Sequence, residues 1–204
     1  RRLEQFGSLV LDRPCPAADD ALRQNPGVWD SADARFERSG ENTGRWTLHR
    51  EIPERWTVNH QRLVFELKRT EFGHLGLFPE QVDNWAWIAE QVRTAGRPVK
   101  VLNLFAYTGG STLAAAAAGA EVVHVDAARN VVAWARRNAE LSGLAESPIR
   151  WIADDAGKFV RREWKRGVSY DAVILDPPSY GHGVRGEAWR LSKHLPPLLE
   201  MCGQ

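Results

Sequence analysis

Between residues 99 and 175 the chain repeats one pattern. Four short runs rich in Val, Ile and Leu (99–104, 121–125, 149–153 and 170–175) are separated by stretches with helical spacing at 111–118, 129–142 and 156–166. Runs this short and this apolar suit strands that are covered on both faces. Parallel strands need a crossover between them, and an intervening helix supplies one of right-handed sense. The pattern therefore predicts an α/β fold with a parallel sheet flanked by helices. A helix is also predicted over 81–94, where Trp85, Ile88 and Val92 share a face and Gly96 and Pro98 follow as a stop. A last helix is predicted near 187–201.

The first ~75 residues read differently, with Pro-, Gly- and Asn-rich turns at 25–27 and 39–44 separating β-like pieces. These pieces lie at 6–11, 45–50 and 63–70. Leu63, Phe65 and Leu67 alternate with Val64, Glu66 and Lys68, as on a half-buried strand. The expected organisation is a small, mostly β appendage over 1–75 and an α/β domain over 76–204.

Composition narrows the function classes. A chain of 204 residues holds one substantial core with room for a small appendage. A formal net charge of +1 excludes a strongly basic nucleic-acid coat and an acidic solvating protein, so any nucleic-acid contact would come from local patches. Cys15 and Cys202 stand far apart without further ligand patterns, which fits a reducing, cytoplasmic setting and argues against a disulfide framework or a metal site. No apolar run of ~18 residues and no charged-then-apolar leader occurs, so neither a membrane span nor a secretion signal is expected. Most of the nine tryptophans are expected to pack in the core or between the two parts.

The strand ends carry the chemistry. The fourth run leads into Asp176-Pro177-Pro178-Ser179-Tyr180. Two prolines can continue neither a strand nor a helix, so a stiff turn with unpaired carbonyls is expected. A rim of acceptors beside an aromatic ring suits a flat, amine-bearing substrate such as a nucleobase. A plain strand-ending loop is the equal alternative. The first run passes through Asn103, Phe105, Tyr107, Thr108 and Gly109 into an alanine-rich stretch, where glycine permits close approach of backbone N–H groups to a ligand. Phe105-Ala106-Tyr107 occupies the place where a dinucleotide fingerprint carries its first glycine, so a smaller, zwitterionic ligand fits better. Asp126 closes the second run, where a carboxylate would accept ribose hydroxyls or cap the following helix. Asp154 and Asp155 follow the third run. Asp155 is favoured for an adenine amino group and its neighbour for the helix cap.

Taken in order, Val101–Gly110, the run ending at Asp126, the run ending at Asp155 and the turn Asp176–Tyr180 resemble the class I S-adenosylmethionine-dependent methyltransferases. The similarity covers ~70–200 and is greatest to the bacterial branch related to large-subunit ribosomal RNA methyltransferases. The segment 72–81 resembles that branch's motif before the main domain. The resemblance implies a Rossmann-like sheet and S-adenosylmethionine as cofactor, with RNA, ribosomal RNA foremost, as partner. It also implies roles: Phe105 to Gly110 around the methionine part, Asp126 on the ribose and Asp155 at adenine. His74, Gly76 and Phe78 would close the cofactor side, and Asp176, Pro177 and Tyr180 would line the acceptor pocket. Methyl transfer by in-line displacement depends mainly on alignment and desolvation.

Carbon methylation would need a nucleophilic cysteine, and neither Cys15 nor Cys202 lies in a recognisable catalytic motif, so nitrogen methylation ranks first. The family's sheet has seven strands, whereas this sequence ends after the fourth strand's helix, so an incomplete domain is expected. A cofactor-binding but inactive fragment and a nicotinamide-dependent oxidoreductase remain as alternatives. His124 is read as a core residue. His182 and His194 flank the proposed pocket, and the Arg161, Arg162, Lys165 and Arg166 cluster is read first as a solvated face.

Overall fold

The computed structural model describes residues 1–18, 21–22, 25–40, 43–182 and 188–203, with His182 described in its backbone only. The chain forms two compact units, Arg1–Leu77 and Phe78–Gln204.

In the first unit, β1 (Arg2–Phe6), β2 (Leu9–Arg13), β3 (Ala34–Arg38) and β4 (Gly44–Leu48) form one sheet in that order. β5 (Arg55–His60) and β6 (Leu63–Lys68) form a separate antiparallel pair. The expected strand over 6–11 is instead the junction of two strands. Gly7, at φ 67°, turns the chain so that Phe6 pairs with Leu9. Strands β1, β3 and β5 were not expected, because charged residues interrupt their apolar pattern. Cross-strand ion pairs explain those charges: buried Asp12 meets Arg1 at 2.7 Å and Arg35 at 2.8 Å, and Glu4 meets Arg13 at 2.7 Å. On β6 the expected alternation holds, with Leu63, Phe65 and Leu67 buried.

The second unit begins with α1 (Val82–Thr94) and continues as β7 (Lys100–Leu104), α2 (Gly110–Ala117), β8 (Glu121–Asp126) and α3 (Arg129–Leu141). Next come β9 (Ile149–Ala153), α4 (Ala156–Lys165) and β10 (Ala172–Leu175). The four strands form one parallel sheet in the order β10-β7-β8-β9. The chain thus runs outward from β7 through β8 to β9, then returns to the other side of β7. This reversal opens a crevice beyond the carboxyl ends of β7 and β10, where open α/β sheets take their ligands.

The pleat sends alternate residues of each strand to opposite faces. Leu102, Leu104, Val123 and Val125 pack with Phe159 and Val160 of α4. Val101 and Val122 pack with Ile88 of α1 and Ala115 and Ala116 of α2. The alanines let α2 lie close to the sheet. At Gly110 a Cβ would come within 2.5 Å of the Trp85 ring, so glycine sets the distance between α1 and α2. Of the nine tryptophans only Trp85 and Trp134 are buried, fewer than expected; Trp87 and Trp164 are exposed and the rest are half-buried.

The expected helix near 187–201 starts later, as α5 (Leu191–Cys202). Ala188–Arg190 is strand β12, which pairs with β11 (Tyr180–His182) so that Gly181 faces Trp189. His194 Nδ1 accepts the Arg190 N–H at 2.8 Å and so closes the start of α5. Residue 187 lies outside the described residues. Among the described residues, no helix is long and apolar enough to cross a membrane.

Candidate cofactor and acceptor site

The loop after β7 is held in an unusual shape. Phe105 (φ 56°), Tyr107 (φ 49°) and Gly109 (φ 93°) all occupy the left-handed region. For the two aromatic residues this costs on the order of 1 kcal/mol each and persists only where surrounding contacts over-determine it. Several such contacts exist. Ala106 N–H donates to the Val125 carbonyl at 3.0 Å, and Gly109 N–H donates to the Ala106 carbonyl at 3.0 Å. Buried Asn138 donates from Nδ2 to the Thr108 carbonyl at 3.0 Å. The Phe78 and Tyr107 rings meet with centroids 5.3 Å apart.

Asp126 ties this loop to the end of β8. Its Oδ2 accepts the Tyr107 N–H at 2.9 Å and its Oδ1 accepts the Ala128 N–H at 2.9 Å. Burial pushes the Asp126 carboxyl above its ordinary pKa, partly offset by the N–H groups of Ala128 and Tyr107. Each oxygen keeps acceptor capacity beyond its backbone bond. The expected alternative of Asp126 as cap of α3 is corrected. Ala128 occupies the cap position, and Asp126 holds that residue's N–H from outside the helix.

Beneath the loop lies a buried polar chain. Asn103 Nδ2 donates to Thr112 Oγ1 at 2.9 Å, and Thr112 Oγ1 meets His124 Nδ1 at 2.9 Å. Desolvation lowers the His124 pKa to about 3, opposed in part by hydrogen bonding to the Tyr107 backbone, so its imidazole is neutral near pH 7. This agrees with the core assignment of His124, whose ring lies 4.8 Å from that of Trp151.

The division of labour expected after β9 is reversed for the cap. Asp155, not Asp154, caps α4, accepting the Lys158 N–H at 2.8 Å. Asp154 pairs with Arg162 and accepts the Asp155 N–H at 2.8 Å. Arg166 pairs with Glu163 at 3.3 Å, so half of the basic cluster on α4 is engaged within its own helix or strand end.

After β10, exposed Asp176 accepts a hydrogen bond from Gln81 Nε2 at 3.2 Å. The expectation that the carbonyls of the double-proline turn are unpaired is corrected. Trp189 Nε1 donates to the Pro178 carbonyl at 2.7 Å, and Leu191 N–H donates to the Ser179 carbonyl at 3.0 Å. Among the described residues no donor reaches the Pro177 carbonyl. Tyr180 is exposed at the start of β11. His194 stacks on Trp189 at 5.4 Å and accepts the Arg190 N–H at the start of α5, which gives it a structural role, while the His182 side chain lies outside what is described.

The second unit thus contains Phe78, Asn103, Phe105, Tyr107, Thr108, Gly109, Asp126, Asp155, Asp176, Pro177 and Tyr180. His74 and Gly76 belong to the first unit. There the His74 carbonyl accepts from Thr70 Oγ1 at 2.8 Å, and Gly76 has φ 95°. Gln81 and Trp189 were not anticipated as site residues. Gln81 closed the recognised 72–81 segment, a signal that was present but carried no role. Among the described residues, no group of His, Cys, Asp and Glu is arranged to hold a metal ion.

A parallel sheet with a crevice at its reversal, a glycine-ended loop and carboxylates at successive strand ends defines a Rossmann-like, nucleotide-cofactor-binding protein. The family model for S-adenosylmethionine-dependent methyltransferases matches residues 33–204, and the chain belongs to that family. It is similar to the crystal structure of a SAM-dependent methyltransferase from Agrobacterium tumefaciens, with a TM-score of 0.92 and 46% identity over 98% of this chain and 64% of that one. It is 35% identical to ribosomal RNA large subunit methyltransferase I of Aeromonas salmonicida over 74% of this chain and 37% of that protein. The same-named protein of Aeromonas hydrophila is 40% identical over 53% of this chain and 27% of that protein. The chain therefore spans less than two thirds of the length of each of these relatives. Family membership sets the nicotinamide-dependent alternative aside.

Proposed function

We propose that this protein, in a cytoplasmic setting, transfers a methyl group from S-adenosylmethionine to a base in RNA, with ribosomal RNA the favoured acceptor. The carrying observation is the juxtaposition at the sheet reversal. The loop Phe105–Gly109 and the turn Asp176–Tyr180 leave neighbouring strands, β7 and β10, at the same edge. The names of the two Aeromonas relatives, ribosomal RNA methyltransferases, support RNA as the acceptor class.

The residues of the crevice suit this cofactor. The lone pairs left on Asp126 match the two hydroxyls of a ribose. Asp155, having given one oxygen to its helix cap, would take the adenine amino group with the other. Phe105, Tyr107, Thr108 and Gly109 would surround the amino-acid part. Asn103 ties β7 to α2, the two elements that this loop connects, through Thr112, and Phe78, whose ring meets that of Tyr107, would close the cofactor side.

S-adenosylmethionine supplies an electrophilic methyl on a sulfonium. The chain's own groups would then align the acceptor. The Pro177 carbonyl, which has no donor among the described residues, and the Asp176 carboxylate would accept hydrogen bonds from the base's amine, and Tyr180 would stack on its face. Such alignment, with water excluded, provides most of the acceleration available to an in-line displacement. Tritiated methyl transfer to undermethylated ribosomal RNA, with protein as the control acceptor, tests the reading. Labelling of RNA that is lost in Asp176→Ala and Tyr180→Ala, with cofactor still bound, supports it. Full transfer by both variants, or labelling of protein alone, rejects it.

A further inference from the structure

We infer that Trp189 is a positioning residue that joins the loop after β7 to the acceptor turn after β10. The inference rests on the roles proposed above for those two loops. Trp189 touches both. Its Nε1–H donates to the Pro178 carbonyl at 2.7 Å, while its ring lies 4.8 Å from the Phe105 ring at 57°. Both contacts carry conformational weight. Phe105 sits at φ 56°, where glycine would be unstrained, so an aromatic side chain there must be held by what it packs on. The Pro177-Pro178 pair has no N–H of its own with which to fix the turn. With Leu191 N–H on the Ser179 carbonyl, the indole leaves Pro177 as the one carbonyl of residues 177–179 without a donor among the described residues.

The indole itself is held from two further directions. Register places Trp189 opposite Gly181 in the β11–β12 pair, where no side chain competes for the space. His194 stacks on it at 5.4 Å with its Nδ1 anchored on Arg190. Trp189 is thus a fixed wedge: a shift of the loop around Phe105 is passed to the turn that presents the acceptor.

The test uses the whole chain labelled with 15N, with the Trp189 indole N–H resonance assigned by its loss in Trp189→Phe. Phe105→Ala is expected to speed solvent exchange of that N–H at least about tenfold. Saturation with S-adenosylhomocysteine is expected to shift the resonance. Trp189→Phe keeps a ring against Phe105 but frees the Pro178 carbonyl. It is expected to lower kcat of methyl transfer about tenfold while cofactor Kd, measured by calorimetry, stays within about twofold. An exchange rate indifferent to Phe105→Ala, or wild-type kcat in Trp189→Phe, overturns the inference. If no S-adenosylhomocysteine binds while Phe105→Ala still speeds exchange, the functional reading falls and the link between the two loops stands.

Discussion

The Tyr107 N–H donates to the Asp126 carboxylate at 2.9 Å, so the residue at the end of β8 also fixes the loop that follows β7. One carboxylate would therefore shape the cofactor loop and receive the ribose. Asp126→Ala removes both functions. Because hydrogen bonds to a charged group are worth about 1.5–3 kcal/mol each, loss of the two ribose bonds should lower S-adenosylhomocysteine affinity by about two to four orders of magnitude. Calorimetry on the two proteins gives the ratio directly, and near-equal affinities would exclude Asp126 from the ribose site.

The same carboxyl predicts how binding depends on pH. Burial raises its pKa above the ordinary carboxylate value of 3.8. Cofactor affinity should be full where Asp126 is ionised and decline as pH falls through that raised value, since protonation removes acceptor capacity. Asp126→Asn should flatten this decline. Binding isotherms for both proteins across the acidic range, at constant ionic strength, would reveal whether the variant keeps the wild-type slope and so refutes the assignment.

His124 predicts a stability change of defined sign. Its pKa is lowered from 6.5 to about 3 in the folded chain. Between these values the unfolded state binds a proton that the folded state refuses, so stability is full above about pH 6.5 and lost as pH falls toward 3. The slope is at most about 1.4 kcal/mol per pH unit. Asp126 acts oppositely: its folded carboxyl holds a proton to higher pH than the unfolded one, so its contribution falls as pH rises through the shifted value. His124→Asn should therefore flatten the acid loss. Hydrogen exchange of the β7 and β8 amides at several pH values measures this within the second unit alone. An unchanged slope would mean that His124 is not the refusing group.

What the sequence made legible follows from how locally each feature is determined. β7 and β8 are buried along most of their length and β9 and β10 carry short apolar runs at the sheet's edges, so their own residues spell out the strands, and Gly96 and Pro98 mark a boundary within the local chain. Asp126, Asp155 and Asp176 were legible as candidate site residues because the ends of strands in a parallel sheet share one edge. The β11–β12 pair was not, since Tyr-Gly-His and Ala-Trp-Arg have no periodicity and gain their strand character from each other. β1 and β3 were obscured by charges whose partners lie on other strands. The hydrogen bond from Gln81 to Asp176 spans 95 positions, and no local pattern announces it.

Gly110 tests the packing behind the loop. A methyl group there would come within 2.5 Å of the Trp85 ring, a contact between α1 and α2 that must be relieved by movement of a buried indole. Overpacking of this kind costs about 1–3 kcal/mol. Gly110→Ala should lower the free energy of hydrogen exchange for α1 and α2 amides by that amount, with the amides of the first unit unaffected. An unaltered exchange profile in α1 and α2 would contradict the close packing.

Gln81 offers the sharpest test of the acceptor turn. Asn84 Nδ2 donates to Gln81 Oε1 at 2.6 Å, which turns the Gln81 amide so that Nε2 faces Asp176. This chain of bonds would hold the Asp176 carboxylate in one orientation. Gln81→Ala should reduce kcat/KM for RNA about tenfold through loss of orientation, with cofactor affinity unchanged. Gln81→Glu replaces the donor with an acceptor of like charge, so the hydrogen bond is lost and a repulsion takes its place. Single-turnover transfer should therefore fall in Gln81→Ala and fall further in Gln81→Glu. Wild-type rates in both variants would remove Asp176 from the transfer step.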